Sequence, residues 1–162
     1  MVIRKADYKD AKAIAPLVAG FRRELGALKG IESAESLENA ESEIRGYLDD
    51  GYPVFCAGSE SDPIGYIVCR VQEPCVWVES IFVREDKRRL GVASALYEKA
   101  EELARKYGDE TPYNYVHPNN NAMIAFLHSK GYNVLNLIEI RKPYKGERLR
   151  ETIEIRGNSF DY

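Results

Sequence analysis

An acid inside an apolar run, and a set of cations just ahead of a glycine, are the two places where this sequence could do chemistry. Glu79 lies in Cys75-Val76-Trp77-Val78-Glu79-Ser80-Ile81-Phe82-Val83, a run whose β-branched and aromatic residues read as a strand. A carboxyl group buried in such a run is pushed up towards the range in which it can take a proton from an amine. The same residue could instead sit on an exposed or ion-paired face of the strand, and the sequence leaves both readings open. Beyond Val83 come Arg84, Lys87, Arg88 and Arg89, then Leu90, Gly91, Val92, Ala93 and Ser94. Small residues at Gly91, Ala93 and Ser94 keep the first turn of a following helix open, so a ligand can reach backbone N–H groups that have no partner inside the helix. Those donors, the positive end of the helix dipole and the neighbouring cations form an anion site suited to a diphosphate.

The elements that must position these groups follow from periodicity. A short strand at residues 2–5 leads to Asp7, a helix cap with Asp10 three residues later. The first helix carries Ala11, Ile14, Leu17, Val18, Phe21 and Leu25 on one face, with Pro16 inside it expected to kink it or mark a restart. A loop at 26–33 precedes a second helix, capped by Ser33 or Ser36 and ending at Asp49-Asp50-Gly51. Strands at 52–58, 64–71 and 75–83 are joined by short polar connections and form an antiparallel meander. A helix from Gly91 to about Tyr107 follows, then a strand at 112–117, a helix closed by Gly131, and strands at 133–141 and 151–156 around an exposed loop at 142–150. The order implies an α+β fold with a mixed sheet. Because a helix joins them, the strands ending at Val83 and His117 should run parallel.

Arg88-Arg89-Leu90-Gly91-Val92-Ala93 fits the pattern (Gln/Arg)-x-x-Gly-x-(Gly/Ala) and resembles the acetyl-CoA signature of the GNAT superfamily of N-acetyltransferases. About 25 residues on, the stretch from Val116 to Tyr132 resembles that superfamily's second pattern at Val116, Pro118, Asn120, Ile124, Phe126, Gly131 and Tyr132. Two positions depart from it. Met123 stands where alanine is usual, and Leu127 replaces a tyrosine that in many members acts as general acid beside the coenzyme sulfur. The order of elements matches the family from end to end, so residues 1–162 are identified as a single GNAT-type domain. The resemblance implies a mixed central sheet of about seven strands flanked by about four helices, with the fourth and fifth strands splayed around the pantetheine arm of acetyl-CoA.

It further implies acetyl transfer to the primary amine of a small molecule or protein by direct attack in a ternary complex. Backbone amides from Arg89 to Ser94 would hold the diphosphate, with charge from Arg84, Lys87, Arg88 and Arg89. Ile81, Phe82 and Val83 would line the pantetheine and donate an N–H to the acetyl carbonyl, and Asn120 would touch the coenzyme arm. Glu79 would be the base. With Leu127 unable to act as acid, Tyr113, Tyr115, His128 and Ser129 are the nearby candidates, Tyr115 foremost. Acceptor specificity would lie in the 26–33 loop, the second helix with Glu35, Glu38 and Glu41, and the 142–150 loop with its lysines and arginines. Leu127 also motivates a second hypothesis, a non-catalytic acyl-CoA-binding sensor or scaffold, and a longer acyl group is a third.

Composition narrows the field. A chain of 162 residues, 44% hydrophobic and 30% charged, can bury an ordinary core. A formal net charge of -3 argues against bulk affinity for nucleic acid or an anionic membrane. Three cysteines, Cys56, Cys69 and Cys75, make no C-x-x-C pair and read as buried free thiols. Charge enters the N-terminus too early for a signal peptide, and no apolar run spans a bilayer, so a cytoplasmic location is expected. With two histidines and no metal-ligand spacing, no metal is expected. P-loop, dinucleotide-binding and nucleophile-elbow patterns are missing. Homodimerisation is open, since a long last strand could pair between copies.

Overall fold

In the computed structural model, which describes residues 1–32 and 36–162, five strands form a mixed sheet in the order β1-β2-β3-β4-β5. They are β1 (Ile3–Lys5), β2 (Val54–Gly58), β3 (Pro63–Gln72), β4 (Cys75–Val83) and β5 (Tyr113–Asn114). The first four are antiparallel neighbours, and β5 joins β4 in parallel. The helices are α1 (Ala11–Leu28), α2 (Leu37–Asp49), α3 (Val92–Lys106) and α4 (Asn121–Ser129). Ser36 caps α2 by accepting from the Asn39 N–H at 3.0 Å. The alternative cap Ser33, and Glu35, lie outside the described residues. α1 runs through Pro16 as one helix, against the expected break. Among the described residues no helix is long and apolar enough to cross a membrane.

The chain forms two compact units, residues 1–125 and 126–162. In the first, α1 and α2 cover one face of the sheet. Ile14, Val18, Ile44, Val54, Cys56, Tyr66 and Val68 are wholly buried there, each large aliphatic contributing about 1.5–3 kcal/mol. α1 comes so close that a Cβ on Gly20 would stand 2.8 Å from the Phe82 ring. α3 covers the other face with Leu96 and Tyr97, and at Gly65 an added Cβ would meet the Leu96 side chain at 3.1 Å. Glycine at both positions lets a helix lie against the sheet.

In the second unit a hairpin of β6 (Thr152–Ile155) and β7 (Asn158–Asp161) turns through Arg156 and Gly157, both with positive φ. The α+β architecture is thus as read, with five strands in the mixed sheet and two in this hairpin. Residues 133–141 correct one expectation, because they form no strand. Among the described residues their backbone has no ladder partner, and a strand exists only through its partners. The following turn is held instead by Arg141, which donates to both oxygens of Glu147 at 2.9 and 2.7 Å. Those bonds, with the Tyr144 N–H, push the Glu147 carboxyl down to about 2.

Candidate active site

β4 and β5 pair only at Trp77 with Tyr113 and Val78 with Asn114. From Glu79 onward β4 has no neighbour on that side among the described residues, and Tyr115 to His117 leave the ladder although the sequence reads them as strand. The expected splay between the fourth and fifth strands is therefore present. Tyr97 holds its far wall: its hydroxyl and the Asn114 amide exchange hydrogen bonds at 3.1 and 2.8 Å, tying β5 to α3 where the pairing ends. That clamp joins residues 17 positions apart and has no sequence signature.

The open edge of β4 presents particular backbone groups. The Arg84 N–H donates inward to the Ile64 carbonyl of β3 at 2.9 Å, so by strand alternation the N–H groups of Ile81 and Val83 point outward to the splay. Their side chains lie on the α3 face, opposite Ile67 and Gly65. Phe82 differs, since its ring packs on the α1 side beneath Gly20.

At the end of β4 the chain makes a single 3-10 turn, Glu85–Lys87, and reaches α3 through Arg89 (φ 62°) and Gly91 (φ 80°). α3 has no side-chain cap. An added Cβ on Gly91 would meet nothing within 4 Å, so the mouth formed by Val92, Ala93 and Ser94 is open. Leu90 is exposed beside it. The cations divide. Arg84 bonds Asp62 and Asp86, both at 2.7 Å, and Lys87 pairs with Asp86 at 3.1 Å. Arg88 folds back, donating to the Val83 carbonyl at 2.9 Å and to Glu24, with its guanidinium 5.2 Å from the Phe82 ring centre. Among the described residues Arg89 alone of the four carries no ion pair. Uncapped amides and one guanidinium free of ion pairs, close together in the chain, give this segment the chemistry of an anion site. Asn120 caps α4, its Oδ1 accepting from the Met123 N–H at 3.0 Å.

Glu79 is the extra residue of a β-bulge: Val68 pairs with Ser80 and Cys69 with Val78, so nothing on β3 faces it. Bulges re-aim side chains, and here the carboxylate accepts from Arg70 Nε, both side chains being about a fifth exposed. Of the sequence's two readings for Glu79, the ion-paired one describes this structure. The Arg70 guanidinium also lies 5.6 Å from the Trp77 ring. Trp77 stacks on Tyr115 at 4.7 Å between ring centres and packs against Tyr113 at 4.9 Å. Tyr115 follows the last β4–β5 pair, level with Glu79, whereas Leu127, buried on α4, offers no proton.

Further along the same face Arg22 makes two bonds to Glu43, at 2.9 and 2.6 Å, and Tyr47 donates to Glu43 at 3.2 Å. Desolvation first, then the Glu43 charge, pushes the Tyr47 hydroxyl up to about 12. Beneath them the wholly buried Tyr66 hydroxyl faces Ser80 Oγ without completing a well-aligned hydrogen bond. Burial pushes the Cys69 thiol, also on β3, up to about 12, which keeps it an inert core residue. Among the described residues no cluster of three or more His, Cys, Asp or Glu could hold a metal ion. Sequence reasoning missed Arg70 and Trp77, whose roles appear only when the register brings them beside Glu79.

The profile of the acetyltransferase (GNAT) family matches residues 21–132. The chain belongs to that family and is an acyltransferase. No curated protein sequence matches it. Among solved structures it resembles a probable acetyltransferase, 18% identical over 91% of this chain and 100% of the other, with a TM-score of 0.73. It also resembles the ribosomal-protein-alanine N-acetyltransferase of Brucella melitensis biovar Abortus 2308, 17% identical over 89% and 100%, TM-score 0.68. A third is the PaiA N-acetyltransferase of Thermoplasma acidophilum in complex with coenzyme A, 18% identical over 80% and 87%, TM-score 0.67. At these identities the likeness is one of fold.

Proposed function

We propose that residues 1–162 act as one transferase domain that moves the acetyl group of acetyl-CoA to a primary amine, by direct attack within a ternary complex. One observation carries this reading: the pairing of β4 with β5 stops at Val78, leaving the outward N–H groups of Ile81 and Val83 on an edge that leads to the uncapped mouth of α3. Acetyl-CoA supplies an activated acetyl group as a thioester. The amides of Val92, Ala93 and Ser94 and the Arg89 guanidinium would hold its diphosphate, and Asn120 would meet its arm. The outward N–H groups of Ile81 and Val83 would line the pantetheine and receive the acetyl oxygen as it gains negative charge. One such preorganised donor is worth about 2.7–4 kcal/mol.

Glu79 takes a proton from the acceptor ammonium, directly or through water, to free the nitrogen lone pair. The nitrogen–carbon bond then forms as the carbon–sulfur bond breaks, and the nitrogen gives up its second proton to water to leave the neutral amide. Tyr115, level with Glu79 where the strands part, returns a proton to the departing sulfur, in place of the tyrosine that Leu127 replaces. Three free thiols in the structure accord with a reducing, cytoplasmic setting. Isothermal titration with acetyl-CoA, followed by amine-dependent release of the coenzyme thiol, tests the reading. Binding with release that requires an amine is the expected result. Absence of binding would overturn the proposal, and binding without release to any amine would leave only a coenzyme-binding role.

A further inference from the structure

The acceptor's chemistry can be read from the residues beside Glu79, taking the proposed transfer as given. Trp77 and Tyr115 are nearly parallel, 11° apart, and stacked face to face, while Tyr113 packs on Trp77 at 33°. Tyr115 is 64% exposed, so this layer of rings presents a face to solvent rather than filling a core. Trp77 and Tyr113 are paired next to the last β4–β5 pair, and Tyr115 lies just beyond that pair, level with the bulge that carries Glu79. From Glu79 to the outward N–H of Ile81 is two residues of strand, about 7 Å. A ring laid on the outer face of Tyr115, whose other face covers Trp77, would therefore need only a short linker to bring an amine between the carboxylate and the edge where the acetyl group is received.

The protein itself shows what these groups accept. The Arg70 guanidinium, planar and cationic, lies over Trp77 and donates to Glu79 through Nε. It engages only Oε1, so Oε2 remains to receive a second cation. Polyhydroxylated amines need polar walls to replace their hydration, and Trp77, Tyr113 and Tyr115 offer mainly ring faces. We propose that Tyr115, backed by Trp77, and Glu79 form an acceptor subsite for a primary ammonium carried by a short linker on a planar apolar ring, with Arg70 as the internal cation that positions Glu79.

Trp77 is the chain's only tryptophan, so its emission reports this subsite without turnover. Titration with 2-phenylethylamine is expected to give a saturable change in that emission, with at least tenfold weaker binding of ethanolamine and of spermidine. Glu79→Gln should weaken 2-phenylethylamine about tenfold, and Tyr115→Ser several-fold, with Tyr115→Phe restoring most of that loss, since it keeps the ring face. An unchanged emission, equal affinity for ethanolamine, or tighter binding of spermidine would each overturn the proposal, the last in favour of a ringless polycation. Acetyl-CoA titration of the wild-type protein separately tests the transferase reading. A failure there and a failure at the ring subsite are therefore distinguishable.

Discussion

Two arginine–carboxylate pairs lie towards opposite edges of the sheet and do different work. Arg4 on β1 grips Asp10 through two bonds, at 2.7 and 2.6 Å, and Asp10 also accepts the Asp7 N–H at 2.9 Å to complete a capping box. Asp10 is 6% exposed, and both its oxygens are engaged. Arg70 touches one oxygen of Glu79, on a bulge, beside exposed rings and an unpaired strand edge. A carboxylate whose oxygens are all satisfied holds structure together. One with capacity to spare at an opening is free to bind or to move a proton.

The contrast breaks first, and most visibly, on Glu79. Replacing it by Gln should lower kcat for amine acetylation by about 10²–10⁴-fold, the scale of general-base catalysis, while lowering the thermal midpoint less than Asp10→Asn does, since one bond to Arg70 is altered rather than two to Arg4. Steady-state kinetics alongside calorimetry would show it, and a large stability loss with intact kcat would reverse the assignment of roles. Asp10→Asn should do the opposite, costing about 3 kcal/mol in denaturant unfolding by leaving Arg4 partly buried without its partner, with kcat of the folded protein unchanged.

Gly91→Ala should cost about 1 kcal/mol, because φ is 80° there, and should weaken acetyl-CoA binding several-fold. Gly51→Ala, at φ 75° and equally free of neighbours, should cost the same stability without touching the coenzyme. Equal coenzyme affinities in the two variants would detach the α3 mouth from diphosphate binding. The smallest effect is one of pH. Hydrogen bonds from Arg4 hold the Asp10 carboxyl below the usual carboxylate range. Its stabilisation is therefore present above the unfolded value, about 3.9, and is lost as pH falls through the lower folded value. Acid unfolding curves of the wild type and Asp10→Asn should converge there, and parallel curves would remove Asp10 from its structural role.

Much of this was legible in the residue order. The bounds of β4, the basic turn, the open glycine start of α3 and the Gly131 stop of α4 are local patterns, fixed by side-chain periodicity and backbone freedom. The Glu79–Arg70 pair was not legible, because residues nine apart meet only through the β3–β4 register and the bulge that shifts it. Arg84 and Arg88 read as phosphate ligands, yet Asp62 and Glu24, distant in the chain, reach them first. Residues 133–141 have the composition of a strand, but composition cannot supply a partner. The β6–β7 hairpin was half visible: its turn at Arg156-Gly157 was the available signal for β7.

The central claim concerns the unpaired edge of β4 and the mouth of α3, and backbone amide exchange followed by NMR with and without acetyl-CoA tests it most directly. Slowed exchange at Ile81, Val83, Val92, Ala93 and Ser94 together is the predicted result. Acetyl-CoA bound with those five amides unchanged, and protection elsewhere, would contradict it.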